Sequence, residues 1–185
     1  MFPFFLILSF LVEIIGEVRN NKGLNDLMMY NVFNVLEFTF YIWIIREIVQ
    51  NKESKKVIFY VLLLYPIIDL VNIFFIQGTT HFHTITYALG CLLIVILCIY
   101  YFFELFQSPS SVNLLRQPAF WICSGLLFFY CCSFPIFGFS NFLTLLPKVF
   151  IRNIRTIIIL LNVFLYSMFT LAFLCRFRIM KSSPL

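Results

Sequence analysis

Charge is what this sequence has least of. Asp, Glu, Lys and Arg together make up 11% of its 185 residues, against about 25% in soluble globular chains. So few polar side chains cannot cover a water-solvated fold of this size, and the ordinary soluble domain is excluded. No lysine falls inside a long apolar run, which excludes a retinal Schiff base held within a helix bundle. The sequence contains no HExxH, no GxSxG and no phosphate-cradling glycine-rich loop. The zinc-protease, hydrolase-elbow and nucleotide-loop chemistries therefore have no residues to run on. Cys91, Cys98, Cys123, Cys131, Cys132 and Cys175 lie within or at the edge of apolar stretches. None has metal-finger spacing and no polar connector carries one, so they read as small core side chains. There is no low-complexity tract and no internal repeat, which weighs against a repeat-built transporter.

What the chain does have is apolar surface. Apolar residues make up 62%, phenylalanine alone occurs 26 times, and the mean hydropathy is +1.00. At 1.5 Å rise per residue, a helix crosses the roughly 30 Å hydrocarbon core in about 20 residues. Five segments reach that length: Leu27 to Ile48, Val57 to Gln77, Thr84 to Phe106, Pro118 to Gly138 and Ile154 to Cys175. The opening stretch MFPFFLILSFLVEIIG is apolar but carries Glu13. It lacks the basic leader and small-residue cleavage site of a signal peptide and reads as a sixth span, cut short. About 16 residues make roughly 24 Å of helix, so this span is expected to thin the bilayer or to move at its start. The connectors near 19–26, 50–54, 77–81 and 108–113 are brief, and 135–148 either prolongs the fifth helix past Pro135 or lies at the interface. The expected architecture is all-α, a single domain over 1–185 and an integral membrane bundle of six transmembrane helices.

The net charge of +5 sits in short basic runs between apolar segments, where Lys and Arg orient a membrane chain; it is not a nucleic-acid surface. With six spans, Arg46, Lys52, Lys55, Lys56, Arg116, Arg176, Arg178 and Lys181 share the side of the C-terminus. Arg19, Lys22, Lys148, Arg152 and Arg155 take the other. The excess places the C-terminus in the cytoplasm, and the expected location is the cell inner membrane.

The polar residues inside the spans are the candidates for function. A charge near the bilayer midplane costs at least about 2.5–3.5 kcal/mol, so such groups face a bundle interior or a wet cavity. At 100° per residue, Asn31, Asn34, Glu37, Phe38 and Tyr41 share an arc of about 120°, leaving Val32, Val35, Phe40 and Ile44 to face lipid. Tyr65, Asp69 and Asn72 share a face of the next span, where Pro66 can open the backbone. Arg155, Asn162 and Tyr166 align in the last. Arg46 and Arg155 lie about 13 Å or more along the axis from Glu37, so its carboxyl needs donors from Asn or Tyr, or a proton. The expected ligand-binding set is Asn34, Glu37, Tyr41, Asp69, Asn72 and Asn162, lining one outward-facing pocket. For the asparagines, interhelical hydrogen bonding worth about 1–2 kcal/mol or less remains the competing role. Glu104 reads as a capping or snorkelling residue, and His81 and His83 as connector residues without a third metal ligand. No catalytic set, cofactor or metal site is expected.

The strings YNVFNVLEFTFYIW (30–43), FIQGTTHFHTITYALG (75–90), YYFFELFQSP (100–109), QPAFWICSGLLFFY (117–130) and LNVFLYSMFTLAFLC (161–175) resemble an uncharacterised family of multi-pass membrane proteins of Bacteroidetes. The resemblance runs from about Glu13 onward. It implies a seven-helix plan, here without its first helix, a cytoplasmic C-terminus, and genes beside sensor histidine kinases. Cys131 and Cys132 stand where a small residue such as Gly is expected. Together these readings favour a non-enzymatic sensor or signalling accessory with a lipid bilayer around it and a cytoplasmic or membrane kinase as partner. A small proton-coupled transporter and an intramembrane lipid-modifying enzyme are the alternatives.

Overall fold

The computed structural model describes residues 2–78, 81–107, 114–138 and 148–182, and they form an up-and-down helical bundle. The helices are α1 (Phe2–Asn21), α2 (Leu27–Ile48), α3 (Lys52–Val71), α4 (Thr84–Gln107), α5 (Pro118–Gly138) and α6 (Lys148–Ser182). A π-helical turn, Asn72–Ile76, prolongs α3, and a 3-10 turn, Leu114–Arg116, precedes α5. Five helices are long and apolar enough to cross a membrane, α3 counting with its π turn and α6 through Asn153–Arg176. The first is not among them, because Glu13, Glu17 and Arg19 charge its second half.

The local sequence explains several boundaries. Asn51 caps α3, its side chain accepting the Glu53 amide at 2.9 Å, which leaves α2 and α3 joined by three residues. Glu104 accepts the amides of Gln50 and Asn51 at 2.8 and 2.7 Å, so the α4 carboxylate closes the connector as a capping residue. The first helix runs past Gly16 to Asn21, where the sequence predicts its end near Gly16. Its 20 residues give about 30 Å of helix, a full bilayer core in length. Pro66 does not break α3; the ladder changes six residues later, where the Gln77 amide donates to the Asn72 carbonyl at 2.9 Å. The 135–148 stretch continues α5 to Gly138, and 139–147 lie outside the described residues.

Packing is aromatic. The closest backbone approaches join α4 to α5 and α5 to α6, followed by α2 to α3 and α2 to α4. Gly125 permits one of them: a Cβ there would lie 2.9 Å from Met168 Cβ. The first helix is held instead by rings, with Phe5 stacked on Phe40 at 3.9 Å and Phe2 edge-on to Phe169 at 4.9 Å. This corrects the expected lipid-facing arc of α2. Val32 is exposed, but α1 covers Phe40, and Ile44 is buried. Helices α1, α2, α4, α5 and α6 surround a common interior, and α3 packs outside them against α2 and α4.

Candidate functional site

The interior contains a cavity of about 300 Å³ at the end carrying the α1–α2 and α3–α4 connectors. Four of the five surrounding helices contribute polar groups: Ser9 and Glu13 from α1, Tyr30, Asn34 and Glu37 from α2, Tyr87 from α4, and Asn162 and Tyr166 from α6. The α5 side is apolar, through Phe129 and Phe137, and Phe82 enters from the connector. Among the described residues no Lys, Arg or His lines it.

Glu37 is half-buried and opens onto this space. The fully buried Tyr41 brings its hydroxyl toward the Glu37 carboxyl. Tyr130, also fully buried, brings a second hydroxyl to the same carboxyl but completes no hydrogen bond of its own. Among the described residues no ion pair involves Glu37. Asn162 turns its amide back to the Ile158 carbonyl at 3.1 Å, leaving its side-chain oxygen available to the cavity. Below Glu37 the space is closed by Phe38, Tyr41, Ile42, Tyr130 and Phe169, each at most 2% exposed.

A wider vestibule of about 610 Å³ lies above. Glu13 and Tyr30 line both spaces. Glu17, Asn25, Asp26 and Arg155 add to its polar lining, with Asp26 accepting Arg19 Nε at 2.6 Å. The Tyr30 hydroxyl lies against Gly16, which has no side chain to displace it.

The expected single pocket is in fact two sites. Asn34, Glu37 and Asn162 come together on the cavity, and Tyr41 supports it from the floor. Asp69 and Asn72 do not reach it, because α3 lies on the other side of α2 and Phe38 fills the space between. They form a separate buried network that closes the end of α3 on the start of α4. Thr86 donates to Asp69 at 2.7 Å, Asn72 to Gln77 at 2.9 Å, and Gln77 to Thr84 at 3.0 Å. The tyrosine of this face, Tyr65, donates to the Thr86 carbonyl at 3.2 Å. His83, expected as a connector residue, lies in the connector and is 3% exposed. Its Nε2 donates to the Gly78 carbonyl at 2.9 Å, and its Nδ1 lies 3.4 Å from Asp69. Asn31, expected on the pocket stripe, grips the connector instead, donating to the His81 carbonyl at 2.9 Å and accepting the His83 amide at 3.1 Å.

Of the cavity residues outside the expected set, Glu13 and Tyr166 had sequence signals, a carboxylate in an apolar run and a tyrosine aligned with Asn162. Ser9, Tyr30 and Tyr87 had none. No protein-family model, curated protein or solved structure is found to match this chain.

Proposed function

We propose that this chain is a multi-pass protein of the cell inner membrane, with a cytoplasmic C-terminus, that takes a small ligand from the outer side into the Glu13–Glu37 cavity. It acts as a non-enzymatic sensor or signalling accessory and passes occupancy to a cytoplasmic or membrane kinase. The observation that carries the reading is the one-sided cavity, polar at its mouth and closed below by packed rings. Support for the membrane setting comes from five long apolar helices and from large side chains such as Phe74, Phe75 and Phe103 turned to the outside, a surface that lipid solvates and water does not.

A proton-coupled carrier is the second reading, favoured by two carboxyls lining a single cavity. It requires the Phe38–Tyr41–Tyr130 layer to part during each cycle. Thiol access tests the first reading. In a cysteine-free background, Ser9→Cys in intact cells should react with a membrane-impermeant maleimide added outside. A fluorescent protein fused at the C-terminus should glow, and alkaline phosphatase inserted after Gly78 should be active. Labelling from the cytoplasmic side alone, with the opposite fusion results, would sink the proposal. Substrate-driven proton movement in proteoliposomes, lost in Glu37→Gln, would establish the carrier in its place.

A further inference from the structure

We infer that the cavity accommodates an organic ammonium cation, its charge between Glu13 and Glu37 and its apolar body against the surrounding rings. This rests on the reading of the cavity as a ligand site and names the class of ligand.

Three features of the lining select the charge. Among the described residues Glu13 and Glu37 are its carboxyls, and no basic side chain lines it. An anion would meet like charge, and beside a neutral body each carboxyl would take a proton rather than face apolar walls ionised. An ammonium satisfies both groups. The aromatic walls then add to the attraction, since ring faces such as those of Phe33, Tyr87 and Phe129 stabilise a cation within about 6 Å.

Tyr130, its hydroxyl fully buried and unpartnered beside the Glu37 carboxyl, closes the cavity from below. Among the described residues of the vestibule, Glu13, Glu17 and Asp26 share the lining with Arg155, and Arg19 pairs with Asp26.

Size and ligand number exclude a bare metal ion in favour of a molecule. Among the described residues no three His, Cys, Asp or Glu side chains converge, whereas metal sites draw on several such ligands. A space of about 300 Å³ is at the small end of molecular pockets and suits a ligand on the order of ten non-hydrogen atoms. The ammonium can belong to a water-borne amine or to an ethanolamine or choline lipid headgroup.

The test uses the full chain in detergent and three probes that share one aromatic body: phenethylamine, 2-phenylethanol and phenylacetate. Phenethylamine alone should raise the melting temperature. Glu37→Gln and Glu13→Gln should each weaken that effect by about tenfold or more, as removal of a buried charge partner does. Glu53→Gln, an exposed carboxylate at the opposite end, should leave it unchanged. Equal stabilisation by 2-phenylethanol, or indifference to both glutamate variants, would overturn the cation assignment and leave a ligand cavity. No stabilisation by any probe, in detergent or in nanodiscs, would overturn both. In nanodiscs, competition by phosphatidylethanolamine but not phosphatidylglycerol supports an ammonium supplied by a headgroup. Absence of competition, with phenethylamine still bound, supports a water-borne amine.

Discussion

The ring of Phe38 lies directly on the backbone of Gly90: a Cβ added there would stand 2.7 Å from the ring carbons. This contact draws α2 onto α4 and separates the two polar sites. Tyr87 on the cavity and Tyr65 in the Asp69 network touch Phe38 at 5.3 and 5.6 Å between ring centroids.

Substituting Gly90→Ala should therefore destabilise the bundle, although alanine is the better helix former. Phe38 is fully buried and has Tyr130 against it at 5.2 Å, so it has no free space to retreat into. Overpacking of this kind costs about 1–3 kcal/mol. The melting temperature in detergent should fall, and Phe38→Leu introduced with Gly90→Ala should recover part of the loss. Additive losses in the double variant would show that the two residues are not coupled.

Asn31→Ala should loosen the α3–α4 connector while sparing the cavity. The change removes one donor and one acceptor and leaves the His81 carbonyl and His83 amide to find other partners. A loss of about 1–3 kcal/mol is expected. Hydrogen exchange should rise at the His83 amide and stay unchanged around Tyr130. Faster exchange along α5 instead would mean that Asn31 supports the whole bundle.

The contrast between these two sites shows what could be read in advance. Helical periodicity placed Asn31, Asn34 and Glu37 on one face of α2, and that face is indeed turned inward. Likewise Leu27–Ile48 and Pro118–Gly138 match their expected limits; Asn25 accepts the Leu27 amide at the first start, and proline fits the first turn at the second. Periodicity places residues around their own axis, however, and does not say which helix lies opposite. Asp69 and Glu37 were grouped for that reason, although α3 meets α2 on a different side. The cover that α1 gives Phe40 depends on rings far apart in sequence, and the π turn at Asn72–Ile76 has no local sequence rule to announce it.

Glu104→Ala should act at the opposite end. It strips the carboxylate from the amides of Gln50 and Asn51, two groups at a connector that is exposed to solvent. Water can replace part of the lost bonding, so the expected cost is that of a lost helix cap, about 1 kcal/mol. A limited proteolysis assay should show faster cleavage near 49–51, and Glu104→Gln, which retains one acceptor oxygen, should lie between parent and alanine. Parent-like resistance in the alanine variant would show that the connector holds itself.

Glu37 divides stability from recognition, and its two substitutions should separate them. Glutamine keeps the size and an acceptor for the Tyr41 hydroxyl, so Glu37→Gln should insert, fold and melt close to the parent. Leucine offers no acceptor. In Glu37→Leu the buried Tyr41 hydroxyl faces an apolar side chain, and a buried group left unpaired costs about 1–3 kcal/mol. The leucine variant should therefore melt lower without any ligand present. In the presence of phenethylamine the order changes: the parent should gain stability, and both variants should gain little, because each lacks the charge. If Glu37→Leu melts at or above the parent, the carboxyl is not part of the packing scheme described here. If both variants also respond to the amine as the parent does, it is not part of the site.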